Sequence, residues 1–162
     1  MAAKISNTPN YIIIDRSFNQ SVSTDIGVNP STAGTPQNMI DGDLTTYYSA
    51  GSSGGAIADV HAYIIIDYGR PVNSYILSYK VYFAENGASV AAADYKIDVS
   101  RDGSGWTTLR NGTRLNNSIT IEDSWTGLQM RYVRFYNKQQ ITSDTTLVET
   151  RVFECRVYGA VN

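Results

Sequence analysis

Cysteine and histidine are almost absent from this chain: Cys155 and His61 are single copies in 162 residues. One cysteine excludes an intrachain disulfide. The two residues together fall short of most zinc sites and Cys-His nucleophile schemes. Glutamate is scarce too: Glu85, Glu122, Glu149 and Glu154 are the full set. That leaves little for paired-acid glycoside hydrolysis. No glycine-rich phosphate loop precedes a helical pattern. Nothing in these residues argues for an enzyme, and the chain is read as non-catalytic. Charge is also low, with 17% charged residues and a formal net charge of −2. This balance gives no electrostatic reason to expect nucleic acid or an anionic membrane as partner. No apolar run approaches a membrane span; the longest are Tyr11–Ile14 and Ala62–Ile66. Met1–Asn7 lacks the apolar core of a secretory signal. The expected origin is therefore a cytoplasm, with display on a virus particle or release as routes out of it.

What the chain does have is Ser, Thr, Asn, Gly and 12 Tyr. A polar, uncharged, Tyr-rich surface suits β structure and neutral polar ligands such as sugars. Period-two stretches bounded by turn residues recur, and helical periodicity is nearly absent. Along Tyr75–Phe83 the residues Tyr75, Leu77, Tyr79, Val81 and Phe83 share one face. Along Asp94–Ser100, Tyr95, Ile97 and Val99 point one way and Lys96, Asp98 and Ser100 the other. In Arg131–Tyr136, Val133 and Phe135 are expected to point inward, and in the last strand Cys155 and Val157 fall on the face opposite Glu154 and Arg156. Cys155 is thus a small core residue rather than a reactive thiol. Asp102–Gly105, Asn111-Gly112 and Asn116-Asn117 read as turns. Longer loops are expected at Ala50–Ala58 and Ala84–Ala93. Short strands without helices predict a two-sheet sandwich. One domain over 17–162 follows an N-terminal extension or first strand at 1–16.

One loop stands out chemically. Asn38–Thr46 offers the carboxylates of Asp41 and Asp43, hydroxyls including that of Thr46, and Gly42 at the bend. With Glu154 these are hard oxygen donors of the kind Ca²⁺ takes, roughly six to eight at a time. Asp-Gly-Asp is equally at home in an ordinary turn, and both readings stand.

Four segments, in order, resemble the discoidin family, the coagulation factor V/VIII type C domains, which include the family 32 carbohydrate-binding modules. They are Asn38–Tyr48, with Tyr48 in place of the family's Trp; Ala62–Gly69; Asp94–Trp106; and Arg131–Phe135 paired with Phe153–Gly159. Each is weak alone, but their order and spacing are specific, over about Ser17–Gly159. The resemblance implies an all-β jelly-roll sandwich of about eight mainly antiparallel strands, with its termini close together. It implies a structural calcium held by the Asn38 carbonyl, Asp41, the Asp43 side chain or carbonyl, Thr46, the Phe153 carbonyl and Glu154. Tyr48 would fill the core position of the family's Trp.

Family members bind ligands through loops at one end of the sandwich. The galactose-binding relatives' His and Arg have no counterpart here: Ser49-Ala50-Gly51 follows Tyr48, and Tyr82–Gly87 holds no Arg. What remains at that end is Tyr47, Phe83, Glu85 and Asn86, with Asn19 and Gln20 beside them. Phe83 also falls on the core face of its strand, and Trp106 and Trp125 are read as core or turn-packing residues. His61 is read as a loop residue of no special role. Membrane insertion is not expected, because Ala50–Ala58 and Ala84–Ala93 carry no Lys or Arg. Two functions follow. One is a lectin-like glycan-binding or adhesion module. The other is a structural subunit of a larger assembly, such as a virion decoration, fibre or baseplate protein, that binds protein or copies of itself. The second is motivated by the missing signal segment and the degraded sugar site, with a further hint from Tyr63 and Ile65, an apolar outer pair that a neighbour or the segment Ile5–Ile14 would cover.

Overall fold

The computed structural model describes residues 13–15, 21–26, 31–54, 61–87, 92–115, 119–139 and 146–160, with side chains for 21–26, 31–52, 61–69, 77–83, 94–113, 119–138 and 148–158. These residues form β1 (Ile13–Asp15), β2 (Ser21–Ile26), β3 (Ser31–Ala33), β4 (Tyr48–Gly54), β5 (Ala62–Gly87), β6 (Ala92–Ser100), β7 (Trp106–Leu115), β8 (Ile119–Gln139) and β9 (Thr146–Ala160), with a 3-10 turn at Pro36–Met39. Every strand pairing is antiparallel. The spatial order is β3-β4-β9-β5-β8-β6-β7, with β1 on β9 and β2 on β5. The all-β sandwich expected from the alternation is the observed architecture.

Nine described strands replace the expected eight or so, and two of them serve both layers. The β5–β8 ladder shifts register between Asp67 and Val72. Before that corner, β5 lies between β2 and the second half of β8; after it, β5 lies between β9 and the first half of β8. Layer one is thus β2, early β5, late β8, β6 and β7. Layer two is β3, β4, β9, late β5 and early β8. Gly69 takes φ +76° at the corner, a conformation that side chains with a Cβ rarely adopt. Arg131 clamps the corner from the facing strand, donating Nε and Nη2 to the two Asp67 oxygens at 2.7 and 2.8 Å.

The core lies between the layers. Ile64, Ile66, Ile97, Val133 and Phe135 from layer one meet Leu77, Val81, Phe83, Val152, Cys155 and Val157 from layer two, all fully buried. Tyr79 crosses edge-on to Phe135, and Phe83 stacks on Tyr95. The Tyr79–Phe135 contact joins the late half of β5 to the late half of β8, which lie in different layers, and the Phe83–Tyr95 contact joins β5 to β6, which do not pair, so both hold the layers together. Large buried aromatics supply the greatest apolar area per residue. Tyr79 is buried with its hydroxyl satisfied, accepting from Trp125 Nε1 at 3.1 Å.

The expected inward faces are observed where side chains are described; the Tyr75 side chain lies outside the described set. Several expected loops are strand instead. Ala50–Gly54 belongs to β4, residues 84–87 to β5, and Ala92 and Ala93 to β6. Their Gly, Ser and Ala content concealed them, because small residues fit close strand packing as well as loops. Asn111-Gly112 is not a turn: it lies inside β7, with Gly112 opposite Tyr95. A Cβ there would sit 2.6 Å from the Tyr95 hydroxyl, so the glycine makes room for a ring. The Asn116-Asn117 turn lies outside the described residues. Asp102–Gly105 does connect β6 to β7: Asp102 Oδ1 accepts from the amides of Ser104 and Gly105 at 2.8 and 2.9 Å. Those donors hold its carboxyl well below the usual range.

Candidate ligand-binding surface

The loop between the 3-10 turn and β4 is built from side-chain oxygens that bond back to its own backbone. Asp41 Oδ1 accepts from the Asp43 amide at 2.8 Å, and Asp41 Oδ2 from the Thr46 hydroxyl at 2.7 Å. The Asp43 carbonyl accepts from the Thr46 amide and hydroxyl at 3.2 and 3.1 Å. Gly42 at φ +81° turns its amide outward, where it donates to Glu154 Oε2 at 3.0 Å.

Glu154 reaches the loop because β9 carries a bulge. Lys80 pairs with Glu154 and Val81 with Val152, so Phe153 is the extra residue. A bulge re-aims the side chains beside it. Here it lets Phe153 and Glu154 follow one another without alternating into the core. The other Glu154 oxygen accepts from Arg156 Nε at 2.9 Å, and Arg156 Nη2 donates to the Ile40 carbonyl at 3.3 Å. The arginine is held strongly protonated by that carboxylate.

The expected calcium shell can be compared with this geometry residue by residue. The Asp41 carboxylate, Thr46 hydroxyl and Asp43 carbonyl are neighbours, and Glu154 meets the same loop through Gly42. These are hard oxygen donors that suit calcium in kind. The Asp43 carboxylate instead turns to Thr45, accepting its amide and hydroxyl at 2.8 and 2.6 Å. These bonds lower its pKa. The Asn38 side chain donates to the Tyr47 carbonyl at 3.0 Å and braces the loop. Phe153 presents its ring edge-on to Tyr47. Among the described residues no three Asp, Glu, His or Cys side chains converge as a metal-binding group. Asp41, Asp43 and Glu154 are therefore not a three-carboxylate cage, and Arg156 already engages Glu154.

Of the four proposed ligand-contacting residues, the side chains of Tyr47 and Phe83 are described, and these two do not share a surface. Phe83 is fully buried and stacks on Tyr95; it is a core ring, closed to ligand, because its strand face turns inward. Glu85 and Asn86 pair with Val148 and Leu147 at the far end of β9, and their side chains lie outside the described set, as do Asn19 and Gln20. Tyr47 precedes Tyr48, which pairs with Val152. It is thus separated from Glu85 by about five residues of strand, roughly 17 Å at strand rise. Tyr47 packs on Phe153 with the Arg151 guanidinium 5.1 Å over its ring. Tyr48 packs partly buried against the core.

The apolar outer pair on layer one is half-buried within the chain itself. Tyr63 stacks on Tyr136 at 4.4 Å and on His61 at 4.6 Å. Ile65 lies between Ser23 and Arg134 in the ladders. His61 is accordingly part of an aromatic stack and bonds Asp25 at 3.1 Å, rather than a loop residue without a role. Trp106 is not core either: it lies half-buried on the outer face, 4.1 Å beneath the Arg134 guanidinium. Trp125 packs against the core.

Sequence reasoning missed a cleft of about 430 Å³ on layer two, beside the 41–46 loop. Leu44, at 45% exposure, forms part of its wall and is the exposed large hydrophobic among the described residues. Lys80, Ser78, Glu122 and Ser124 also line it. A leucine in an otherwise polar loop was the one available signal.

The fold is that of an antiparallel β-sandwich, a fold that does not by itself assign a function. The F5/8 type C domain model matches residues 19–149. The chain belongs to the F5/8 type C, or discoidin, domain family. Solved structures are similar to it in fold. The family 32 carbohydrate-binding module of Clostridium perfringens NanJ, solved with galactose, is 12% identical, with a TM-score of 0.52 over 91% of this chain and 99% of that one. A family 89 glycoside hydrolase from Clostridium perfringens, solved with PUGNAc, is 18% identical, with a TM-score of 0.50 over 91% of this chain. This chain spans 15% of that hydrolase's length. The family 32 module of AlyQ, solved with 4,5-unsaturated mannuronic acid, is 21% identical over 82% of this chain and 95% of that one, with a TM-score of 0.43. No curated protein matches the chain significantly.

Proposed function

We propose that this protein is a non-catalytic carbohydrate-binding module that carries a structural calcium. The carrying observation is membership of the F5/8 type C family over residues 19–149. The likeness in fold to a galactose-bound family 32 module supports it. The protein's own surface is compatible with that role. It offers exposed hydroxyls, half-buried aromatic rings and few uncompensated charges, which suits polyhydroxylated neutral ligands. Because the relatives' His and Arg are missing, galactose is not assigned as the ligand.

Calcium would be held by the Asp41 carboxylate, the Thr46 hydroxyl and the carbonyls of Asn38, Asp43 and Phe153. Glu154 would join once one oxygen leaves Arg156. The ion's part would be structural, pinning the 41–46 loop to β9. A glycan array followed by calorimetry tests the first reading; specific saturable binding is expected, and no binding at millimolar glycan would refute it. Thermal melting with calcium and with chelator tests the second. A higher midpoint with calcium is expected, and coincident curves would overturn it.

A further inference from the structure

We propose that the cleft beside the 41–46 loop, on the outer face of layer two, is a binding site for an uncharged sugar residue. This rests on the carbohydrate-binding reading above and places the sugar away from the loop end that Glu85 and Asn86 occupy. Three observations carry it.

The first is shape. About 430 Å³ lies within the range of ligand pockets, roughly 300–1,000 Å³. Its floor is rigid ladder: Lys80 pairs with Glu122 and Ser78 with Ser124 across β5 and β8. Sites built on strands hold their geometry better than sites on loops.

The second is the apolar wall. Leu44 is 45% exposed on a loop whose Asp and Thr side chains bond within the loop itself. A pyranose has polar hydroxyl edges and apolar C–H faces. An exposed leucine above a floor of hydroxyl, ammonium and carboxylate groups matches both.

The third is charge. Asp123 is paired with Arg110 at 3.2 Å, and Glu154 with Arg156 at 2.9 Å. Lys80 and Glu122 are register partners in the ladder, with the Lys80 ammonium 5.3 Å from the Phe153 ring centroid. The three acidic residues lining the cleft, Glu122, Asp123 and Glu154, are thus matched in number by Lys80, Arg110 and Arg156, which favours neither an anionic nor a cationic ligand. Lys80 supplies donors, Glu122 supplies acceptors, and Ser78 and Ser124 supply both.

The test uses the whole chain. Galactose, glucose, N-acetylglucosamine and their β-linked disaccharides are titrated by calorimetry at low and high salt. The same titrations are run on Lys80→Met, Glu122→Gln, Ser124→Trp and, at the loop end, Asn86→Ala. Each variant is first shown to melt as the parent does. Lys80→Met and Glu122→Gln are expected to weaken binding about tenfold or more, as loss of a hydrogen bond to a charged group does. Ser124→Trp is expected to block the cleft. Asn86→Ala is expected to bind as the parent does, and affinity is expected to be independent of salt. If the cleft variants bind normally and Asn86→Ala does not, this inference falls while the module reading stands. Preference for a charged sugar, with steep salt dependence, also overturns the inference. If the parent binds no sugar, both fall.

Discussion

The amide of Gly42 donates to Glu154 Oε2 at 3.0 Å, joining residues 112 apart in the chain. This bond ties the 41–46 loop to the last strand. It exists because Gly42 takes a positive φ and because the bulge at Phe153 turns Glu154 toward the loop. Glu154→Ala removes the acceptor for both Gly42 and Arg156. It is expected to cost about 1–3 kcal/mol, the desolvation of two donors left without their partner. Gly42→Ala is expected to cost a similar amount, since a Cβ would sit 2.9 Å from Arg156 Nη2 at a strained φ. Urea denaturation of each variant measures both losses.

Arg134 is the second lever on stability. Its Nη2 donates to Asp98 Oδ2 at 2.7 Å, and Asp98 is 1% exposed. Thr108 donates to the other oxygen at 2.7 Å. Arg134→Ala strands a buried carboxylate and uncovers Trp106, so a loss of about 3–5 kcal/mol is expected. The double variant Arg134→Met with Asp98→Asn is expected to lose less than Arg134→Ala alone. Comparing the urea midpoints of the two checks this.

Gly112→Ala distinguishes a glycine that makes room from one that makes a turn. The added methyl would meet the Tyr95 ring, and Tyr95 stacks on Phe83. Overpacking of this kind is expected to cost about 1–3 kcal/mol. The paired circular-dichroism melts would show a lower midpoint for the variant.

Alkaline pH probes the core. Burial pushes the Tyr79 hydroxyl up to about 12 and the Cys155 thiol up to about 12. The unfolded chain loses these protons at about 10 and 8.5. Between those values and 12 the native state binds more protons, so stability falls as pH rises. The loss is expected to begin near pH 8.5–9 with Cys155 and to steepen above 10 with Tyr79. Urea midpoints from pH 7 to 11 would trace it. Thiol labelling of Cys155 is expected only upon unfolding.

How much of this was legible beforehand depends on the kind of feature. Alternation along Ile97 and Val99, and along Val133 and Phe135, is local, and it placed the core faces. The corner at Asp67–Val72 is not local. It depends on Arg131 meeting Asp67 from another strand, so one bent strand was read as two. The carboxylates of the 41–46 loop were visible as a cluster. Their partners were not, because the bulge at Phe153 and the approach of Arg156 belong to β9. The inward face of Phe83 was legible from the alternation of its strand and removes it from the Tyr47, Phe83, Glu85 and Asn86 grouping. The cleft was invisible because Leu44, Lys80 and Glu122, distant in the chain, come together only in the fold.

The central claim is that this discoidin-family domain binds a neutral glycan on the outer face of layer two. A nitrogen-15 amide spectrum titrated with the best disaccharide from the array tests it most directly. The account predicts saturable shifts centred on Leu44, Lys80, Glu122 and Ser124. Shifts confined to residues 84–87 and 53–54, or a spectrum unchanged at millimolar sugar, would contradict it.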